Sequence, residues 1–389
     1  MNQERLVEAP ASPPEPADGP APRPVIHVVS SYPPALGGME EVVQSLARHQ
    51  FDLGVPVCVV TSDQGSGPPV RAERFPVVRL KSFTVAHTTI IPRLLPTLAR
   101  MDPRALFHLH VSSAYVPEIV WLVARHTKRR YVAHVHIDLQ ASGRAGFLLG
   151  PYKKVLLGRV LRGAAAVVVP TPDYRTIIYE KYGVPRERIV VIPNGTDHRI
   201  SQRSRTLPGP EREKRLLFVG RLSVQKNIPL MLDSVAAFLR RSDQTATLRI
   251  VGDGAERSRT ASAIERLGMT DAVTLLGTLR GPDLESQYEE ADAFILTSAY
   301  ESFGLCLVEA MTKGLPIVTV NIPAVRNVVS DGVNGLLVEQ NAEAVAEAIH
   351  RLFTDAVLYS TISRNNLAKA RQFDWRVIAG EVSALYESI

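Results

Sequence analysis

The chain is predicted to be an α/β protein of two doubly wound, Rossmann-like domains facing a cleft. Three observations predict this. Short apolar runs alternate with stretches of helical period, the rhythm of a parallel sheet covered on both faces. That rhythm stops between Pro193 and Arg215 and then restarts. A length of 389 residues also exceeds what one ordinary core encloses.

The elements follow in order. Residues 1–24 are rich in Pro, Ala and Glu and nearly devoid of large apolar side chains, so a disordered tail is expected. The first domain, 25–195, carries apolar runs at 25–29, 57–60, 77–80, 106–109, 131–135, 166–169 and 189–192, each the length of a strand. Polar residues, prolines and a charged cluster over 196–214 predict a linker. The second domain, 215–370, carries runs at 216–219, 247–251, 273–276, 293–296, 317–320 and 335–338. A last helix is expected within 371–389.

Composition narrows the partners. Lys and Arg number 45 against 39 Asp and Glu, a net charge of +6 that fits an anionic ligand or a membrane surface. Basic tracts interleaved with aromatics are absent, so nucleic acid is not an expected partner. Cys58 and Cys306 both sit in apolar runs and imply neither a disulfide framework nor a metal site, which makes a reducing cytoplasm the expected compartment. No run reaches membrane-spanning length, and the N-terminus lacks a signal-peptide core.

Several strand ends could carry chemistry. Gly37 and Gly38 follow the first strand and open a helix near Met39, with Glu40 and Glu41 in its first turn. Two glycines there let backbone amides approach a diphosphate, although a tight strand-to-helix turn is the simpler explanation of the pair alone. Arg221 and Lys226 project from one loop ahead of a helix opened by Pro229, where two fixed cations could stabilise a departing diphosphate. Glu301 ends the run 293–296 and its loop, and a helix from about Phe303 to Lys313, closed by Gly314, carries Glu309. Two carboxylates roughly 10 Å apart along a helix axis, with free amides near the first, suit the hydroxyls of a nucleotide sugar. The turns at Gly252 and Leu279 could border a nucleoside base through backbone groups.

His134 and His136 share one face of a strand. Without a third ligand at convincing spacing, no metal is expected, and His134 is read as a satisfied core histidine. Lys153, Lys154, Arg159 and Arg162 oppose Leu156, Leu157, Val160 and Leu161 over 144–165, a basic amphipathic pattern that an inward-packing surface helix explains more simply than lipid.

In order, SYPPALGGME, HVHID, VIPNGTD, VGRLSVQKN, VGDG, ESFGLCLVEA and SDGVNGLLV resemble the retaining family-4 glycosyltransferases of the GT-B fold, from about Val25 to the C-terminus. The resemblance implies transfer of a hexose or N-acetylhexosamine from a UDP-sugar, with retention and with no metal or other cofactor. Gly37 and Gly38 would offer amides to the diphosphate, and Arg221 with Lys226 would clamp it. Glu301 would bind sugar hydroxyls with amides of Ser302, Phe303, Gly304 and Leu305, and Glu309 would hold the ribose. His136 matches the histidine near the transferred sugar. The helix after Phe373-Asp374-Trp375 would cross back onto the first domain. Asn327 stands where the family often has Glu. The acceptor is expected to be a small polar polyol, inositol or aminocyclitol, met by first-domain loops at Ser112 and Ser113, at 84–91, and at Asp138 and Ser142. A lipid-linked or polysaccharide acceptor at the membrane is the alternative, with peripheral contact to its inner face. A UDP-sugar 2-epimerase and an idle binding module are alternatives of other classes.

Overall fold

The computed structural model describes residues 22–35, 37–64, 72–85, 88–136, 153–242 and 245–389. The expected tail through residue 21, Asp138, Ser142 and the start of the basic amphipathic stretch lie outside them. The chain divides into two compact units, Met1–Asn194 with Trp375–Ile389, and Gly195–Asp374.

The first unit is built on a seven-stranded parallel sheet. Its strands are β1 (Val25–Val28), β2 (Val57–Ser62), β3 (Val77–Leu80), β6 (Leu106–Val111), β7 (Tyr131–Val135), β8 (Ala166–Val169) and β9 (Ile189–Val191), in the order β3-β2-β1-β6-β7-β8-β9. A small antiparallel hairpin, β4 (Phe83–Val85) with β5 (Thr88–Ile90), covers part of the stretch 84–91. Alternation sorts the side chains onto two faces. Ile26, Val28, Phe107, Leu109, Val111, Ala133 and Val135 join one apolar core. The other face of β1, β6 and β7 carries His27, His108, His110 and His134, all buried. Gln50 of helix Gly38–Asp52 and Tyr386 of helix Trp375–Ser388 reach these histidines. The last helix, which includes buried Trp375 and Tyr386, thus belongs to the first unit.

The second unit holds β10 (Lys214–Val219), β11 (Ala246–Val251), β12 (Val273–Gly277), β13 (Ala293–Leu296), β14 (Ile317–Val320) and β15 (Leu336–Val338), in the order β12-β11-β10-β13-β14-β15. The sheet is parallel throughout. Counted within the unit, that is the dinucleotide-fold order 3-2-1-4-5-6, whose direction of winding reverses between the first and fourth strands. Here the reversal falls between β10 and β13. Ligands bind in the crevice such a reversal opens at the strands' carboxyl ends.

The segment 196–214 connects the two sheets, and it is packed rather than loose. Thr196 bridges to Asp374, and the Ser201 amide donates to Thr312 O at 2.7 Å. Arg205 donates to Lys313 O at 2.8 Å and to Tyr288 O at 2.7 Å, and also to Glu289 O and Ala291 O. Helix Gly281–Glu290 leaves its last carbonyls without intrahelical donors, and Arg205 supplies them. Lys214 is already in β10, fully buried, with Nζ donating to Gly209 O at 2.5 Å and Arg212 O at 2.7 Å. A polar composition conceals this packing because its partners are distant carbonyls.

The basic amphipathic stretch resolves in part. Leu157, Val160 and Leu161 are buried, whereas Val155 and Leu156 are exposed. Leu156 therefore departs from the apolar face expected of it, because residues Lys153–Leu157 form a π turn that rotates it outward before helix Gly158–Gly163. No helix among the described residues is long and apolar enough to cross a membrane.

Candidate functional site

The loops after β10 and β13 meet at the reversal point of the second sheet. After β10, Asn227 adopts a left-handed conformation at φ 48° and starts helix Ile228–Arg241. After β13, Thr297 donates to Asn227 O at 3.2 Å, and the Ala299 amide donates to Gln225 O at 2.8 Å. Gln225 Nε2 donates to Tyr300 O at 3.0 Å. These bonds stitch the two loops together and carry Lys226 to Glu301.

Lys226 Nζ donates to Glu301 Oε1 at 2.6 Å, and Ser298 Oγ donates to the same oxygen at 2.7 Å. The two charged side chains are only 13% and 6% exposed, so they are an internal ion pair. Burial pulls the Lys226 ammonium down, but the Glu301 charge and hydrogen bond outweigh it and the pKa rises. Arg221 stands exposed, near enough to Lys226 for its charge to oppose that rise. Both donors use Oε1 of Glu301. Helix Leu305–Thr312 begins four residues later in the chain, behind Gly304 at φ 85°.

The remaining expected residues sort as follows. Phe303 is a core side chain, packed edge-on to Phe373, and only its backbone is available to a ligand. Ser302 and Leu305 are half-buried. The helix carrying Glu309 starts at Leu305 rather than Phe303, because Gly304 holds a conformation no helix interior allows. Glu309 is turned inward: Tyr288 Oη donates to its Oε2, and His198 Nε2 lies 3.9 Å from Oε1. Burial raises its pKa. Gly252, at φ 132°, is required by the protein itself, since a Cβ there would stand 1.9 Å from Gly220 O. Leu279 packs half-buried against the core. Asn327 donates to Pro323 O at 3.0 Å, closing a short helix. Sequence reasoning missed Ser298, Tyr288 and Gln225, whose roles arise only once the loops meet.

In the first unit, Gly37 and Gly38 lie beyond β1, with helix Gly38–Asp52 starting as expected and the Glu41 amide donating to Gly37 O. Gly37 is extended, at φ 164°, so a ligand's approach rather than backbone strain would be its reason to be glycine. Ser30 and Ser112, at the ends of β1 and β6, share a hydrogen bond of 3.1 Å.

The expectation that no third imidazole accompanies His134 and His136 is overturned. Parallel register sets His27 beside His108 and His110 beside His134, so three strands bring five rings together. Gln50 Oε1 meets His27 Nε2 at 2.8 Å; His27 Nδ1 meets His110 Nε2 at 2.9 Å; His110 Nδ1 meets His136 Nε2 at 2.8 Å. A second branch runs from Gln50 Nε2 to Tyr386 Oη at 3.1 Å, then to His108 Nδ1, and from His108 Nε2 to His134 Nδ1 at 3.2 Å. His134 is not fully satisfied, because its buried Nε2 has no partner among the described residues. Burial drives the whole group below the ordinary histidine range, His136 to about 3 and His27, despite a hydrogen bond with Gln50, to about 4. The legible signal was the pair of motifs His-x-His at 108–110 and 134–136, on strands that turn out to be neighbours.

Against known proteins, residues 37–195 match the family described as "Glycosyl transferase 4-like domain" and residues 201–372 match "Glycosyl transferases group 1". A D-inositol 3-phosphate glycosyltransferase of Paenarthrobacter aurescens (strain TC1) is 27% identical over 381 residues, covering 87% of this chain and 90% of that one. A GDP-mannose:cellobiosyl-diphosphopolyprenol alpha-mannosyltransferase of Xanthomonas oryzae pv. oryzae (strain PXO99A) is 27% identical over 378 residues, covering 92% and 94%. Among solved structures, Anabaena Alr3699/HepE in complex with UDP and glucose superposes with a TM-score of 0.74 at 21% identity, covering 94% of this chain and 100% of that one. That likeness establishes the same fold.

Proposed function

The chain belongs to the family-4, group 1 glycosyltransferases of GT-B fold, and from that premise we propose that it moves a hexose or N-acetylhexosamine from a UDP-sugar to a hydroxyl of a small polar acceptor. The observation that carries the reading is the Lys226–Glu301 pair at the reversal point of the second sheet, with Arg221 beside it and a helix start behind it. In this reading Glu301 accepts hydroxyls of the donor sugar, and the amides from Ser302 to Leu305 add donors. Lys226 has two further N–H groups to turn toward phosphate, and Arg221 adds a second charge. Charge grows on the diphosphate as the glycosidic bond breaks, so fixed cations lower the barrier more than they tighten binding. Glu309, held by Tyr288, keeps Oε1 for the ribose diol.

Retention without a metal is part of the same reading, with Lys226 and Arg221 taking the place of a divalent ion. A nucleophilic carboxylate is one half of a pair about 5 Å apart in retaining glycosidases. Glu301 is instead tied to Lys226 and Ser298. The proposed route is front-face attack, in which the departing phosphate takes the acceptor's proton. His136 is retained as the residue near the transferred sugar.

UDP as the donor nucleotide is supported by the Anabaena neighbour, whose structure holds UDP and glucose, and a polyol acceptor by the D-inositol 3-phosphate glycosyltransferases. The mannosyltransferase relative supports the second reading, a diphosphopolyprenol-linked acceptor. The test is a matrix of UDP-, GDP- and ADP-sugars against inositols, aminocyclitols and polyprenyl-diphosphate glycans in vesicles, read by nucleotide release and product mass. The proposal expects a UDP-sugar with a soluble acceptor, and anomeric proton couplings showing the donor's configuration. Transfer only to the vesicle glycan would establish the second reading. Conversion of donor with no acceptor present would mark a UDP-sugar 2-epimerase.

A further inference from the structure

Five neutral imidazoles bonded nitrogen to nitrogen leave little freedom in where their protons sit. Each ring carries one N–H and one lone pair. Gln50 turns Oε1 toward His27 Nε2. An amide oxygen only accepts, so His27 is protonated at Nε2 and bare at Nδ1. His110 Nε2 must then donate to that lone pair, which leaves His110 Nδ1 bare. His136 Nε2 donates in turn, and this branch ends in a lone pair on His136 Nδ1. In the other branch Tyr386 accepts from the Gln50 amide and donates to His108 Nδ1, His108 Nε2 donates to His134 Nδ1, and the branch ends in the His134 Nε2–H, which has no partner among the described residues. A half-turn of one amide would reverse the first branch entirely.

We infer that Gln50 is a positioning residue which, through His27 and His110, sets the tautomer of His136 and presents Nδ1 of that ring as an acceptor for a substrate hydroxyl. The inference rests on the reading of His136 as a substrate-facing residue, while the tautomer itself is measurable without substrate. Helix Trp375–Ser388 takes part because Tyr386 Oη meets the Gln50 amide nitrogen at 3.1 Å, on the side of the amide away from His27.

A metal ion explains the cluster less well. Two groups of three rings do place nitrogens within 4.8 Å of one another. Tetrahedral bonding at ~2.0–2.1 Å would hold ligand nitrogens ~3.3 Å apart. Contacts of 2.8 and 2.9 Å are those of shared protons. The other partners are an amide and a phenol, so a buried dication would lack a counter-charge. Low histidine pKa values keep every ring neutral at pH 7, as the relay requires.

The test uses the full chain labelled with 15N-histidine and long-range 1H–15N correlation at neutral pH, beside steady-state kinetics. The expected spectrum has His136 protonated at Nε2 and bare at Nδ1. Gln50→Glu, which keeps an acceptor facing His27, should retain that pattern. Gln50→Met should give mixed tautomers at His136 and lower kcat/KM about tenfold, the worth of one hydrogen bond. A proton on His136 Nδ1 in the parental chain overturns the inference, as does an unchanged tautomer in Gln50→Met or stoichiometric zinc retained in native mass spectra. If Gln50→Met does not fold, the parental spectrum still decides. A tautomer that follows Gln50 while turnover does not change would leave the relay standing and overturn the substrate-facing reading of His136.

Discussion

Replacing Lys226 by Met separates the structural from the functional work of the ion pair. At 2.6 Å and an effective dielectric of ~20, the gross attraction is ~6 kcal/mol before desolvation is set against it. Removing one partner of such a pair typically costs ~3–5 kcal/mol, because the other charge stays buried. Ser298 still donates to Glu301 in the variant, so the lower end, ~3 kcal/mol, is expected. For a unit of this size that is a fall in melting temperature of ~6–12 °C. The double variant Lys226→Met with Glu301→Gln buries no lone charge and should recover at least ~1.5 kcal/mol of the loss. Transfer activity should fall steeply in both single variants and stay low in the double one. The pH dependence has a definite sign. In the parental chain the folded Lys226 pKa lies above 10.5, so its contribution is complete below 10.5 and fades as pH rises through the raised value. The assay is urea denaturation of the four proteins with a parallel measurement of transfer. Strictly additive losses would refute the coupling, and a double variant with restored turnover would refute the role in leaving-group stabilisation.

Three further outcomes are expected. Gly252→Ala should destabilise the second unit by at least ~3 kcal/mol in urea melts, since its Cβ would stand 1.9 Å from Gly220 O in a left-handed backbone; a loss under 1 kcal/mol would contradict that packing. Stability of the first unit should fall steeply in acid: the unfolded chain binds protons from about pH 6.5 downward, whereas folded His27 and His136 resist until about 4 and 3, each histidine contributing up to ~1.4 kcal/mol per pH unit. Equal melting midpoints at pH 7.5 and 5 would rule this out. Trp375→Ala should cost ~3–5 kcal/mol, and limited proteolysis should show the loss in the first unit, although residue 375 follows the second in sequence.

Much of this was legible along the chain. The run at 293–296 became β13 and the run at 317–320 became β14, because a strand buried on both faces needs apolar residues in succession, which composition displays directly. The same reasoning placed Arg221, Lys226 and Glu301 at strand ends. It could not show how 196–214 packs, where Arg205 reaches carbonyls more than 80 residues away. It also missed the imidazole relay, although every histidine in it was visible.

The physical reason is range. Periodicity and turn residues report which side of an element faces the core, a property decided within a few positions, and these determined two parallel sheets and their functional edges. Which side chains then meet depends on strand order and register. Lys226 finds Glu301 across 75 positions and His27 finds His110 across 83, and only the tertiary structure could decide those encounters.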